Sequence, residues 1–209
     1  NGLSVERRFF WASGSLMSTL VCLLEEQSAA VMLEAVLPKI LPDGTQCKFV
    51  TFEGKQDLEK KLTRRIQHWQ EPDSFFLVMR DQDSGDCVSI KNGLKELVAQ
   101  AGKADRTIVR IACHELESFY LGDLAAVENG LAIRGLANQQ GKAKFRTPDT
   151  LNNAAEELKK ISANTYQKIN GSRSIAPFLA VDGTNRSVSF NVLIAGINKL
   201  FSAKQETSD

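Results

Sequence analysis

The apolar positions of the chain follow two spacings in turn, and their alternation predicts the order of strands and helices. Four short runs rich in β-branched and aromatic residues are typical of buried strands: Thr19–Leu24, Cys47–Phe52, Phe75–Met79 and Thr107–Ala112. Helical spacing separates them, and its clearest example is the segment 56–69, where one stripe holds Leu58, Leu62, Ile66 and Trp69. Strands that alternate with helices form parallel sheets covered on both faces. We therefore expect an α/β fold with a mainly parallel four-stranded sheet.

Further helices are expected around this sheet and after it. They cover Ser28–Leu37, Ile90–Ala101, with Gly102 as a C-terminal cap, and Glu115–Glu128. A stretch rich in Gly, Asn and Gln then separates an α/β core at residues 17–130 from a helical C-terminal region at residues 131–209, which we expect to pack on the core. Residues 1–16 form an N-terminal extension, for which a native and a non-native origin both stay open.

Composition and charge exclude several classes of protein. Hydrophobic residues make up 43% of the chain and charged residues 24%, which is typical of a globular protein and not of a disordered one. A formal charge of +1 produces no global field that would attract nucleic acid or a membrane, so any such site must be local. No apolar run approaches the length of a membrane span. We expect a cytoplasmic protein whose four cysteines are reduced, because their spacing is not that of zinc ligands.

Acidic residues follow every predicted strand, at the edge where parallel sheets bind ligands. They are Glu25 and Glu26 after the first strand, Glu53 after the second, Asp81, Asp83 and Asp86 after the third, and Glu115 and Glu117 after the fourth. Two carboxylates about 4 Å apart repel by about 4 kcal/mol at an effective dielectric of about 20. A hard divalent cation, Mg²⁺ or Mn²⁺, is the simplest compensation for this repulsion.

Each acidic segment also has a simpler interpretation. The segment 81–86 is typical of a polar turn, Glu25 and Glu26 suit a helix N-terminus, and Glu117 suits a solvated helix face. His114 is more typical of a structural histidine than of a zinc ligand, because the H-E-x-x-H pattern is absent. The position of all the acids at one edge of the sheet favours the metal site.

At these residues the chain resembles a known domain. A strand that ends in Glu25, with Ser28 three residues later, and a later strand that ends in Asp81-x-Asp83 are similar to the Toprim signature of topoisomerases, primases and OLD-type nucleases. Longer segments resemble a bacterial family known as domain of unknown function 4276, from about Met17 to Leu200. These segments are Phe52–Lys55, Arg80–Cys87, Arg110–Asp123 and Asn185–Phe190.

The resemblance implies a Toprim-like core with a metal-dependent active site. It implies that Glu25 is a general acid or base and a metal ligand, and that Asp81 and Asp83 bind Mg²⁺. The chain has Glu26 where Gly is usual in Toprim domains, so which of Glu25 and Glu26 is catalytic stays open. Ala29 stands where an acidic residue is frequent. Members of the family resemble small nuclease subunits found beside ATPases in bacterial defence loci.

Phosphodiester hydrolysis is the chemistry that this set of residues predicts. A second metal ion on Glu115 or Glu117 would hold the leaving oxygen, and one ion and two ions both stay open. Lys55 would neutralise charge on the phosphate, although a solvated surface lysine is the simpler interpretation. Residues 142–173 carry a net charge of +4, which suits a phosphate backbone but also suits ordinary Glu–Lys pairs on a helix. The predicted nucleic-acid contacts are Lys142, Lys144, Arg146, Lys168, Arg173 and Arg186.

We therefore expect a Mg²⁺-dependent nuclease that cleaves DNA or RNA. The resemblance further implies that it is the Toprim effector subunit of an anti-phage, abortive-infection defence system, in a hetero-oligomer with an ABC- or AAA-type ATPase. The main alternative is a catalytically degenerate Toprim-like subunit that binds and regulates the ATPase. A phosphoacceptor receiver domain fits less well, because Asp83 and the Glu115–Glu117 pair have no role in it. We expect the ATPase to dock on the C-terminal helices and on Phe9, Phe10 and Trp11.

Overall fold

Residues 18–205 are described in the computed structural model, with side chains described through residue 202. Their four strands are β1 (Thr19–Leu24), β2 (Gln46–Thr51), β3 (Ser74–Asp81) and β4 (Thr107–Ala112). All pairings are parallel, and the order across the sheet is β2-β1-β3-β4. The predicted α/β fold with a parallel four-stranded sheet is confirmed.

Nine α-helices lie within the described residues, together with five short 3₁₀ helices. The α-helices are α1 (Gln27–Val36), α2 (Lys55–Gln67), α3 (Cys87–Gln100), α4 (Glu117–Leu121), α5 (Leu124–Leu131), α6 (Ala143–Arg146), α7 (Ala154–Ile161), α8 (Lys168–Ile175) and α9 (Val188–Gln205). The 3₁₀ helices are Leu37–Lys39, Ala104–Arg106, Ala137–Gln139, Pro148–Thr150 and Ala176–Phe178.

The sheet separates two apolar layers, because side chains of a strand alternate between its faces. Leu20, Cys22 and Leu24 of β1 belong to the larger layer, which α1 and the C-terminal helices cover. Val21 and Leu23 belong to the smaller layer, beneath α2 and α3. All six residues of β1 are buried, as expected of a central strand covered on both faces.

The prediction of one helix over Glu115–Glu128 is wrong, because the structure has two helices with a break at Gly122 and Asp123. A Cβ atom at Gly122 would lie 2.6 Å from the backbone nitrogen of Ser187 and closer still to the side chain of Asn185, so only glycine allows this approach. Asp123 then accepts a hydrogen bond from the backbone amide of Ala126, which caps α5. Helical spacing continues across the break and conceals it in the sequence.

The C-terminal helices complete the larger apolar layer. α8 packs on α1, and α9 packs on β4. The stripe of Leu193, Ile197 and Leu200 on α9 is buried in the protein's own core, so it is not a free docking surface. Phe9, Phe10 and Trp11, the other predicted docking residues, lie outside the described residues.

Two further observations concern membranes and cysteines. No helix in the range 18–205 is long and apolar enough to cross a membrane. Cys22, Cys47, Cys87 and Cys113 are all free thiols, and of these Cys22 alone is fully buried.

The topology places a switch point between the carboxyl ends of β1 and β3. The chain leaves β1 towards β2 on one side of the sheet and leaves β3 towards β4 on the other side. Ligands of open α/β sheets bind at such a switch point, outside the carboxyl ends of the strands. Glu25 and Glu26 follow β1 here, and Asp81 ends β3.

Candidate active site

The acidic residues at the switch point lie on opposite faces of the sheet edge. β1 and β3 remain paired to their ends: the backbone amide of Glu25 donates to the carbonyl of Met79 at 3.2 Å. Strand alternation therefore sends Asp81 to the side of the larger apolar layer, with Met79, and sends Arg80 to the side of the smaller layer, with Val78. Two groups of charged side chains result, which we name by the helix beside each.

The α8-side cluster consists of Glu26, Asp81, Glu117 and Lys168. The Lys168 ammonium contacts both carboxylate oxygens of Glu26, at 3.1 and 3.3 Å. Glu117 is fully buried, and its Oε1 accepts a hydrogen bond from the Tyr166 hydroxyl at 2.8 Å. Its Oε2 has no hydrogen-bond partner among the described residues. An unpartnered buried oxygen of this kind is costly, and it suggests that the cluster has a ligand to bind.

The electrostatics of this cluster favour protonation or a cation. Desolvation, followed by the charges of Glu26 and Glu117, raises the pKa of Asp81 well above its ordinary value. Burial also raises the pKa of Glu117, against the opposing effects of Lys168 and the Tyr166 hydroxyl. Desolvation disfavours the charged form of Lys168, but Glu117 and Glu26 outweigh it and raise the pKa of that ammonium. The single ammonium leaves an excess of acid.

The α2-side cluster consists of Glu25, Glu59, Asp83, Lys55 and Arg80. The buried Arg80 guanidinium lies 2.7 Å from Glu59, 3.7 Å from Glu25 and 3.7 Å from Asp83. Lys55 pairs with Asp83 at 2.8 Å. Every carboxylate of this cluster therefore has a basic partner within 4 Å.

Glu25 links the two clusters through the backbone. Its Oε2 accepts a hydrogen bond from the backbone amide of Asp81 at 3.1 Å. Desolvation raises the pKa of Glu25, although the Asp81 amide and Arg80 oppose this effect. A carboxyl group whose pKa is raised towards neutrality is suited to proton transfer.

Three other predicted ligands, Glu53, Asp86 and Glu115, lie elsewhere in the structure. Asp86 caps α3, where its carboxylate accepts from the backbone amide of Ser89 at 2.7 Å. Glu115 accepts from the backbone amide of Ala155 at 2.8 Å, at the start of α7. Glu53 is exposed. None of the three forms part of either cluster.

The predicted nucleic-acid contacts are scattered in the structure. Lys168 belongs to the α8-side cluster, Lys144 forms an ion pair with Glu157, and the Lys142 ammonium donates to the side chain of Gln139. Arg146, Arg173 and Arg186 are exposed. The ion pairs of Glu157 with Lys144 and Lys160 are the Glu–Lys pairing that the alternative interpretation expects.

The donor chemistry of the α8-side cluster suits a hard divalent cation. Within the range 18–205, no three His, Cys, Asp or Glu side chains are grouped closely enough to hold a metal ion by themselves. Mg²⁺ does not require such a cage, since it keeps several waters and is often bound by one or two carboxylates together with substrate phosphates. Asp81 and Glu117, with its unpartnered oxygen, are the carboxylates of this cluster that would hold such an ion.

Sequence reasoning did not identify three residues that organise the site: Arg80, Tyr166 and Glu59. An arginine inside the apolar strand β3 was a signal, because a buried arginine needs acidic partners. Tyr166 gave no such signal, since it lies 49 residues from Glu117 in the chain. Its role depends on how the C-terminal helices pack.

Comparison with known proteins gives one positive result. No curated protein and no solved structure matches the chain significantly. The model of the family described as "Domain of unknown function (DUF4276)" matches residues 24–198, which include both clusters and all nine helices except the end of α9. The chain therefore belongs to the DUF4276 family.

Proposed function

We propose that this protein is a nuclease that uses Mg²⁺, or Mn²⁺, to hydrolyse phosphodiester bonds in DNA or RNA. One observation carries the proposal: an excess of acid, which includes the fully buried Glu117 with its unpartnered Oε2, lies at the switch point between β1 and β3. Open α/β sheets bind ligands at this position, and carboxylate oxygens are the ligands that Mg²⁺ prefers.

Asp81 and Glu117 are the proposed metal ligands, and Glu26 stands beside them. The bound ion would polarise a phosphoryl oxygen and lower the pKa of a bound water. Glu117 is fully buried and Asp81 is partly buried, and this low exposure strengthens the attraction of their carboxylates for a cation. Tyr166 holds Glu117 in place through its hydroxyl.

Glu25 has the proposed role of general acid or base. Its raised pKa suits proton transfer, and its bond to the Asp81 amide keeps it close to the proposed metal ligands. Lys55 and Asp83 form an exposed ion pair at the same edge. Lys55 could leave Asp83 for a substrate phosphate, because an exposed pair costs little to separate.

The wider setting of this activity is also a proposal. Resemblance to Toprim nucleases found beside ATPases supports a role as the effector subunit of an anti-phage defence system, in a hetero-oligomer with an ATPase in the cytoplasm. A net charge of +1 supports dependence on a partner, since such a chain attracts nucleic acid weakly on its own.

Cleavage of plasmid DNA and of single-stranded RNA, with and without the ATPase and with Mg²⁺ or EDTA, tests the activity. We expect Asp81→Asn and Glu117→Gln to lower the rate by about 100-fold or more. Glu34→Gln, which neutralises an exposed acid on α1, is the matched control and should leave the rate unchanged. Metal-dependent cleavage at equal rates by the wild type and both cluster variants would overturn the proposed site.

A non-catalytic regulatory subunit is the second candidate function, and the position of Lys168 favours it. The Lys168 ammonium contacts Glu26. In a regulatory subunit this ammonium would take the place of the metal cation. Melting temperatures at 0 and 10 mM Mg²⁺ separate the two functions. A site with a Kd of about 1 mM stabilises the wild type by about 1.4 kcal/mol. A shift seen only in Lys168→Ala would favour the regulatory subunit.

A further inference from the structure

A basic stripe runs along one flank of α2, away from both clusters. Residues Lys61, Arg64, Arg65 and His68 follow the i, i+3, i+4, i+7 spacing that brings side chains to one face of a helix. The opposite flank faces α3, where the Thr63 hydroxyl donates to the carbonyl of Leu97 at 2.9 Å. The stripe therefore faces away from α3, on the side of the edge strand β2.

These four basic residues and Trp69 line a surface pocket of about 420 Å³. No carboxylate lines this pocket, and within the described range Arg64 and Arg65 form no ion pair. The His68 Nδ1 donates to the carbonyl of Arg64 at 2.9 Å, because that carbonyl can only accept. The other ring nitrogen of His68 remains for a second partner.

Trp69 gives the pocket an aromatic wall. Its indole nitrogen donates to the Ser74 hydroxyl at 3.1 Å, and its ring packs edge to face against Phe76. These contacts fix the ring in the protein while leaving part of it accessible. The ammonium of Lys48, on β2, lies 5.9 Å from the ring centroid, although Glu71 pairs with it at 2.8 Å.

The neighbouring pocket provides an internal contrast. It shares Trp69 and has a volume of about 360 Å³, but its basic residues Lys103 and Arg106 lie among three acidic residues. Those acids are Glu71, Asp73 and Asp105. The excess of positive charge is thus confined to the α2 flank and is not a general property of this side of the protein.

Arginines in the last turn of a helix also stabilise the helix dipole, which is a purely structural role for Arg64 and Arg65. Lys61 also has a structural partner, since it pairs with Asp57 at 2.5 Å. These roles do not explain the concave, aromatic-walled form of the surface. Basic grooves with aromatic walls are the form that binds single-stranded nucleic acid, through backbone phosphates and base stacking.

We propose that the α2 flank, from Lys61 to Trp69, is the surface that binds the nucleic-acid strand by its phosphates, with a base stacked on Trp69. α2 begins at Lys55 in the α2-side cluster and is about 20 Å long, at 1.5 Å per residue. A strand that follows the helix would reach Lys55, which the proposed active site offers to a substrate phosphate. The inference rests on the proposed function only for the class of substrate.

Binding is measured without cleavage, by fluorescence anisotropy of a labelled 20-nucleotide single strand in EDTA over a series of salt concentrations. For the double variant Arg64→Ala and Arg65→Ala we expect affinity about tenfold lower and a slope of log affinity against log salt smaller by about 1.4, at 0.7 per lost phosphate contact. The matched control, Arg134→Ala with Lys199→Ala, removes the same charge from two exposed residues outside the α2 flank and should change neither. Loss of affinity in the control alone would overturn the inference.

Stacking is measured separately, by the fluorescence of Trp69, so that the packed ring does not have to be replaced. The chain has two tryptophans, so Trp69 is the single emitter in a Trp11→Phe background. We expect the oligonucleotide to quench Trp69 emission, and inorganic phosphate at the same phosphate concentration to leave it unchanged. Unchanged emission at saturating oligonucleotide would overturn the stacking. The binding and emission experiments are both done in EDTA, where no cleavage is measured. A negative result in them is therefore distinguishable from a negative result in the Asp81→Asn cleavage test.

Discussion

The α8-side and α2-side clusters lie at the same edge of the sheet, yet they balance their charges differently. In the α2-side cluster, Arg80 and Lys55 provide a basic partner within 4 Å for every carboxylate. In the α8-side cluster, Lys168 pairs with Glu26 alone, and neither Asp81 nor Glu117 forms an ion pair within the described residues. The first cluster has two basic groups for three carboxylates and leaves none of them unpaired, whereas the second has one ammonium for three carboxylates.

This difference follows from the alternation of β3. Arg80 and Asp81 are adjacent in sequence but project to opposite faces of the sheet. The Arg80 guanidinium therefore cannot neutralise the Asp81 carboxylate. Paired charges stabilise the folded protein, whereas a buried ionisable group without an ion-pair partner is typical of a functional site. The contrast supports a structural role for the α2-side cluster, which stabilises this edge of the sheet. It supports the α8-side cluster as the place where a cation would bind.

The largest effect that we predict comes from removing the charge of Arg80. Its side chain is 4% exposed and contacts Glu25, Glu59 and Asp83, so Arg80→Met leaves Glu25 without its basic partner in a half-buried position. We expect the free energy of unfolding to fall by about 3 kcal/mol, the usual cost of breaking a buried ion pair by removing one partner. Urea denaturation at pH 7.5 measures it.

Lys55→Met is the matched control for Arg80→Met. Lys55 is about half exposed and pairs only with Asp83, so its removal should cost less than about 1 kcal/mol. Equal losses in the two variants would contradict the view that Arg80 neutralises the α2-side cluster from inside.

A smaller effect is expected at Tyr166, which belongs to the other cluster. Tyr166→Phe removes the hydroxyl that donates to Glu117 at 2.8 Å and leaves both oxygens of a buried carboxyl without a partner. We expect a loss of about 1–2 kcal/mol. The loss should be larger at pH 8 than at pH 5, because the Tyr166 hydroxyl lowers the pKa of Glu117 and thus stabilises its charged form.

Tyr120→Phe is the control for this variant. Tyr120 is equally buried, but its hydroxyl donates to the neutral Ser172 at 2.7 Å. Its loss should therefore be the same at both pH values. Thermal melting of both variants at pH 5 and pH 8 makes the comparison, and a pH-independent loss in Tyr166→Phe would contradict the coupling to Glu117.

The fold was predictable from the sequence because its signals are local. Strand and helix periods located all four strands, and β1 and β4 have the predicted bounds. The start of α3 was predicted three residues late, because its first turn lacks apolar spacing and depends on the Asp86 cap. The acids lie at the carboxyl ends of the strands as predicted, although β3 runs two residues beyond its predicted end and includes Asp81.

The internal organisation of the site was not predictable, because it depends on contacts between distant segments. Lys168 and Glu26 lie 142 residues apart in sequence, and they meet only because α8 packs on α1. Lys168 therefore looked like a residue for nucleic acid. Strand alternation alone would keep Asp81 and Asp83 on one face. The chain turns after β3 at Asp83, which has a positive φ of 54°, and this turn separates the two carboxylates.

The pH dependence of stability distinguishes the two clusters further. A carboxyl whose pKa is raised in the folded state stabilises the fold fully below its unfolded pKa, and this contribution is lost as the pH rises through the folded pKa. Desolvation raises the pKa of Asp81 well above its ordinary value, whereas Arg80 and the Asp81 amide oppose the increase at Glu25. In EDTA, the metal-free protein should therefore lose stability with rising pH mainly through the α8-side cluster.

Asp81→Asn tests this and is the smallest effect that we predict. The variant cannot ionise, so it should match the wild type at pH 4 and exceed it by about 1 kcal/mol at pH 8, where the wild-type carboxyl is forced to ionise. Glu25→Gln should show no such gain, because it also removes a partner of Arg80. Melting temperatures in EDTA at both pH values measure this difference, and 10 mM Mg²⁺ should then raise the wild type at pH 8 but not Asp81→Asn. If Asp81→Asn is less stable than the wild type at pH 8, Asp81 is neutralised within the protein and the α8-side cluster has no excess of acid for a cation to relieve.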